Sequence, residues 1–406
     1  MSPNAQSLKV AFVGGPMYDY PYSQIPRFEA ETSYKVDIAA KLIHPELNKH
    51  IASLYESGEG DYDLITTHSK YAPSQKQWLT SLNNLITNDE LSSFLPSTIN
   101  LMRIHGDLVQ LPRNIDVKLL YYRTDLFNNK NEQDKFKHKY GYALKPPETW
   151  EQLKDIAEYF TRPPDLYGFV FPGRYSGLFG HFFELLTMAS GVLLDKDLKP
   201  QFVNPAGEWA LGLLRDLYAK SCPPELPNWH YDEVAQCFRD GRAAMTTDWP
   251  GSFATYKDSS LSKVADKFSV AIYPVGISGK RFVYAGGFSY AIPKSCKNIE
   301  GALALMRFLL SDEMQYEEAQ RGAIPVKTNA QDRIKKDTVP DSMEAHRLEM
   351  LEKTVRDHML VPPKFAKYPA VEDVLWMALQ KGFMGKVSIH DALIEAAEEI
   401  NNIMKL

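Results

Sequence analysis

Apolar residues recur along this chain at two spacings, and the alternation between them organises the first half. From Leu8 to Val13 apolar and polar positions alternate, then stop at Gly14-Gly15-Pro16, which predicts a strand entering a tight turn. RFEAETSYKVDI reads as a helix end, a turn and a second strand, Lys35 to Ala39. A helix is predicted near Pro45 to Ser57, and GEGDYDLITT leads into a buried strand starting near Asp63. Strand–helix–strand alternation of this kind implies a mainly parallel sheet covered by helices.

Further along, short strands are predicted around Leu108 to Leu111 and from Val117 to Tyr122. Thr149, with Gln152 three residues on, fits a capping box opening an amphipathic helix. Helices follow from Pro205 to Ala219 and from Asp232 to Phe238, the latter stopped at Gly241, before RAAMTT returns as a strand. From Tyr284 a double glycine opens a strand, Phe288 to Ile292, which Pro293 ends. Asn298 then caps a helix whose Ile299, Ala302, Leu303, Met306 and Leu310 share one face. Ser388-x-x-Asp391 opens a last helix.

At 406 residues the chain is too long for one ordinary core, so two lobes are expected. A net charge of -5 excludes general nucleic-acid binding, and the mixed-sign run Lys130 to Lys139 reads as a solvated loop or helix face. No apolar run is long enough to cross a bilayer. The three cysteines make no framework: either Cys222 pairs with Cys237 and leaves Cys296 free, or all three are thiols.

Enzyme motifs fail on context. The loop Gly276–Lys280 lacks a phosphate loop's first glycine, at Pro274, and its hydroxyl, at Arg281. Gly287-Phe-Ser289-Tyr-Ala291 imitates a nucleophile elbow, but Pro293 and the SCKN loop separate Ser289 from any helix. His181 and Glu184 lie one turn apart without a second metal ligand, and read as a helix face with a half-buried histidine. Asp116 and Asp248 are the carboxylates to check for a glycoside hydrolase.

FEAETSYKVDI, DYDLITT, LPRNIDVKLLYYRTDLF, PPETWEQLKDIAEYF, FRDGRAAMTTDWP, the Gly-Gly segment and RGAIPVKTN occur in an order and spacing that resemble the bacterial extracellular solute-binding proteins, the maltose-binding-protein-like receptors of ABC importers for sugars and polyols. The resemblance implies an α/β, two-lobe periplasmic-binding-protein fold of type II, with a ligand cleft between the lobes and a hinge crossed three times. By resemblance the crossings fall near Arg113–Val117, Gly287–Tyr290 and Ala323–Thr328. Lobe 1 is then residues 1–113 and 290–325, and lobe 2 residues 117–286 and 329–406.

The resemblance also implies a receptor that is not an enzyme. It would be a monomer without cofactor or metal, and would close around a carbohydrate or polyol before docking on membrane permease subunits. Its place would be periplasmic or extracellular and membrane-tethered, an export leader having been removed before Ser2. A receptor for an acidic or otherwise charged solute, such as a sugar acid, sugar phosphate or polyamine, is the alternative, with the glycoside hydrolase behind it.

A neutral sugar needs carboxylates and amides for its hydroxyls and aromatic rings for its C–H faces. Candidates stand where strands end. They are Met17 and Tyr18 after the first strand, and Thr67, His68, Lys70 and Tyr71 after DYDLITT. Arg113, Asn114 and Asp116 stand at the first crossing, where the resemblance implies a sugar-binding carboxylate, Asp116. Gly173, Arg174 and Tyr175 follow a predicted strand, Tyr167 to Phe171. Asp248 and Trp249 end RAAMTT, the tryptophan preceding Pro250 where the family commonly has a Gly–Pro–Trp-like turn. Gly286, Gly287 and Phe288 line the second crossing, and Tyr368 lies in the tail. Arg113, Arg174 and Lys70 would favour an anion if they converged, and Trp376 reads as a core residue.

Overall fold

The computed structural model describes residues 6–15 and 18–405. They form two compact units. The first holds the chain up to Asp116, then Gly286–Thr338 and Pro362–Tyr368; the second holds Val117–Ala285, Val339–Val361 and the chain from Pro369 onward.

The first unit is built on a five-stranded sheet ordered Tyr34–Leu42, Gln6–Val13, Leu64–His68, Phe288–Ala291, Leu111–Pro112. The first three strands run parallel, and Phe288–Ala291 is antiparallel to its neighbours on both sides. Val10, Ala11, Phe12, Val13, Leu64 and Ile65 are all fully buried, as expected of strands with both faces covered. Helix His44–Glu56 contributes Leu47 and Ile51 to one core cluster with Val13, Ile65 and Phe288. Asn298 caps helix Ile299–Leu309 by accepting from the Gly301 amide at 2.9 Å. That helix buries Ala302, Leu305 and Met306.

The second unit carries a four-stranded sheet ordered Phe268–Ala271, Leu119–Arg123, Ala243–Asp248, Tyr167–Val170. Helix Trp150–Phe160 presents Trp150, Leu153, Ile156, Ala157 and Phe160 to the core. Its cap is half of the expected box. Thr149 accepts from the Gln152 amide at 3.1 Å, but the Gln152 side chain reaches the Glu148 amide at 2.8 Å instead of that of Thr149. Helix Tyr175–Met188 is buried along nearly its whole circumference, whereas helix Lys130–Tyr140 buries only Phe136 and is otherwise a solvated face. The final helix, Ile389–Lys405, packs Leu393, Ala396 and Ile400 inward.

The passages between units fall after Asp116 and after Ala285, and the next only after Thr338. Residues from 329 onward were expected in the second lobe, yet helix Thr328–Asp337 belongs to the first unit. Its Arg333 pairs with Glu313 at 2.6 Å, and its Asp337 accepts from the Tyr316 hydroxyl at 2.7 Å. The segment Pro362–Tyr368 returns to the first unit as well. Of the two cysteine readings the structure takes the unpaired one: Cys222, Cys237 and Cys296 are all free, the first two buried. Among the described residues no helix is long and apolar enough to cross a membrane.

Candidate functional site

In the first unit the candidates gather at the ends of two neighbouring strands. His68 closes Leu64–His68 and pairs in register with Phe288, the first residue of Phe288–Ala291. The rings of His68 and Phe288 meet edge to face with centroids 5.3 Å apart. His68 Nδ1 accepts from the Lys70 amide at 3.2 Å. Burial, and then the Lys70 charge, keep this imidazole neutral by holding its pKa well below the usual value. The Lys70 ammonium lies 4.9 Å from the Tyr71 ring centre and 5.9 Å from that of Tyr368. The Thr67 hydroxyl donates to Gln75 at 2.5 Å, and Tyr18 packs edge-on against Phe288 at 4.9 Å. Met17 lies outside the described residues.

Gly286 and Gly287 permit this assembly. A Cβ on Gly286 would stand 2.4 Å from His68 Nε2, and one on Gly287 would stand 2.5 Å from the Asn114 carbonyl oxygen. Asn114 is a clamp: its Oδ1 accepts from the Phe288 amide at 3.1 Å and its Nδ2 donates to Asp116 Oδ2 at 2.8 Å. Burial raises the Asp116 carboxyl to about 6, against the pull of Arg113 and of the Asn114 hydrogen bond. Arg113 has a different task from the one expected. Its guanidinium, 1 % exposed, donates to Glu318 at 2.6 Å and to the Tyr18 carbonyl at 3.2 Å, so it serves the unit's interior and is not available to an acidic solute.

In the second unit Arg174 stands at the N-cap position of helix Tyr175–Met188 without a side-chain cap bond, lies 3.5 Å from Glu233, and covers the Tyr175 ring at 4.9 Å. Tyr175 sits at φ 56°, an uncommon left-handed backbone for a tyrosine. Its ring meets Trp376 at 5.0 Å and His230 at 5.6 Å. Trp376 is thus only part-buried and belongs with this aromatic group, not in the core as expected. Gly173 is held by its backbone, donating to the Trp229 carbonyl at 3.0 Å and accepting from Gln380 at 2.8 Å. Both oxygens of Asp248 are occupied, one by the Trp249 amide at 2.8 Å and the other by the Tyr256 hydroxyl. Burial nevertheless holds that carboxyl up at about 6. Trp249 lies edge-on to Tyr231 at 5.6 Å, with the Lys118 ammonium 5.6 Å from its ring centre.

Neither enzyme imitation survives. Ser289 lies mid-strand, fully buried, with its hydroxyl given to Gln110. Gly276–Lys280 is a turn closed by the Gly276 amide on the Lys280 carbonyl at 2.9 Å.

Residues 26–316, well over half of the chain, match the profile of the bacterial extracellular solute-binding proteins. The chain belongs to that family. Among solute-binding relatives, a probable ABC transporter-binding protein of Deinococcus radiodurans is 28% identical over 250 residues, 60% of this chain and 57% of that protein. A mannitol-binding protein of Pseudomonas aeruginosa is 28% identical over 291 residues, 68% of this chain and 63% of that protein. The chain therefore spans less than two thirds of the length of either relative. Maltose-bound MalE3 of T. maritima superposes with a TM-score of 0.85 at 25% identity, covering 98% of this chain and 100% of that one. The fold is accordingly the two-lobe α/β fold of the solute-binding proteins.

Sequence reasoning missed the polar groups that support these candidates. Gln315 donates to the Arg113 carbonyl at 2.8 Å and accepts from the Val326 amide at 2.9 Å, stapling two distant segments of the first unit. His181 and Glu184 did stand out by their spacing, but both are fully buried, so the half-exposed helix face does not exist. Lys118, 1 % exposed, sits inside an apolar run that reads as plain strand. Only its position beside Asp116 marks it.

Proposed function

We propose that this solute-binding protein is the receptor subunit of an ABC importer for a small neutral polyhydroxylated compound, a sugar or sugar alcohol. It holds the ligand outside the cytoplasmic membrane, as a periplasmic or tethered protein, and delivers it to permease subunits. The observation that carries the reading is Asp116. Its Oδ2 is fixed by Asn114 at 2.8 Å, while Oδ1 has no hydrogen-bond partner among the described residues. That leaves a preset acceptor for a pair of hydroxyls. The mannitol-binding and maltose-bound relatives support the same ligand class.

Of the side chains that would favour an anion, Arg113 is buried against Glu318 at 2.6 Å and Lys70 lies against the rings of Tyr71 and Tyr368, while Arg174 stands 3.5 Å from Glu233. Asp248 is 2 % exposed and each of its oxygens already accepts a hydrogen bond, so it is poorly placed to serve as a hydrolytic base, which weakens the case for a glycoside hydrolase. A thermal-shift screen of mannitol, sorbitol, ribitol and maltose against gluconate and mannitol 1-phosphate tests the proposal. Neutral compounds are expected to raise the midpoint and the acids to leave it unmoved. A shift with the acids alone, or with none of the panel, overturns it.

A further inference from the structure

We infer that Glu184 is a positioning residue for ligand binding, acting through Lys118 and Trp249; the inference rests on the receptor reading above. Glu184 is fully buried on helix Tyr175–Met188, the helix that Tyr175 opens. Its Oε1 accepts from the Tyr284 amide at 2.7 Å, and its Oε2 from Lys118 Nζ at 3.0 Å and from the Tyr273 hydroxyl at 3.1 Å. His181, one turn earlier, lies with Nδ1 3.4 Å from Glu184 and Nε2 3.3 Å from the hydroxyl of Thr247, the residue before Asp248.

One carboxylate thereby gathers three segments of the second unit. Lys118 stands two residues after Asp116, where the chain enters the unit, and Tyr284 two residues before Gly286, where it leaves. The Lys118 ammonium, held by Glu184, lies 5.6 Å from the ring centre of Trp249 and 5.6 Å from that of Tyr273. Attraction between a cation and a ring face fixes the tryptophan's tilt as well as its place. A buried ion pair is a poor source of stability, since apolar residues of similar volume hold a core as well or better. Geometry is what this network supplies: it presents Trp249 and seats the ends of two connecting strands.

The test is calorimetric titration with D-mannitol, alongside melting temperatures, for the wild type, Glu184→Gln and the double variant Glu184→Gln/Lys118→Met. Glu184→Asp replaces Glu184→Gln should the latter not fold. Glu184→Gln leaves Lys118 unpaired, and is expected to lower both the melting temperature and the affinity. The double variant removes both charges. It is expected to regain the wild-type melting temperature while its affinity stays at least tenfold weak. Affinity that returns together with the melting temperature, or that never changed, overturns the inference. Should the wild type bind no member of the polyol panel, the receptor reading falls separately. The emission difference between each protein and its Trp249→Phe counterpart then decides the positioning role. It is expected to shift on Lys118→Met, and an unmoved spectrum refutes the Lys118–Trp249 link.

Discussion

A single carboxylate can be poised by its neighbours without touching a ligand. Asp116 titrates near pH 6 because burial outweighs the help of Arg113 and Asn114. As the proposed acceptor it must be ionised, so polyol affinity is expected to be flat above pH 7 and to fall as pH drops through about 6. Titrations at pH 5, 6 and 7.5 check this. Asp116→Ala is expected to weaken binding about 10- to 100-fold at pH 7.5, the worth of a charge-assisted hydrogen bond. Asp248 gives a complementary case in stability. Its folded-state value, about 6, lies above the ordinary 3.8. Its contribution is therefore fully present below 3.8 and lost as pH rises through 6. Tyr256→Phe strips a donor from the ionised form, and is expected to cost about 1–3 kcal/mol at pH 7.5 and less at pH 5, by urea denaturation.

Elements were legible where their signals are local. The caps at Asn298, Thr149 and Ser388, the glycine stop after helix Tyr231–Arg239 and the alternation of Gln6–Val13 each lie within a few residues of what they control. The strand ends at which His68 and Asp248 stand were legible for the same reason. The partners of the candidate residues were not. Arg113 and Glu318 are 205 positions apart, and nothing near Arg113 announces a buried mate. Membership of Thr328–Asp337 was equally hidden, because an amphipathic helix shows which face is apolar and not what it lies against. The buried pair has a measurable cost when broken. Arg113→Met leaves Glu318 alone and is expected to destabilise the first unit by about 3–5 kcal/mol, whereas Arg113→Met/Glu318→Leu recovers most of that loss in urea unfolding.

At the scale of the molecule, each unit is assembled from stretches far apart in the chain. Phe288–Ala291 lies between Leu64–His68 and Leu111–Pro112 in the first sheet, so the N-terminal half cannot complete its own sheet. A chain ending at Ala285 is expected to be insoluble or unfolded by circular dichroism, although it contains all four strands of the second unit's sheet. The three unpaired thiols carry a different consequence. Burial holds Cys222 well above the usual thiol range and raises Cys237 and Cys296 to about 12. At neutral pH almost none of the reactive thiolate exists at these positions. A cysteine introduced on the surface, with an ordinary pKa of about 8.5, would carry roughly a thousandfold more. A single maleimide dye is therefore expected to attach at such a chosen position with the native cysteines left in place, and a change in its emission on adding D-mannitol would report the proposed capture of a ligand.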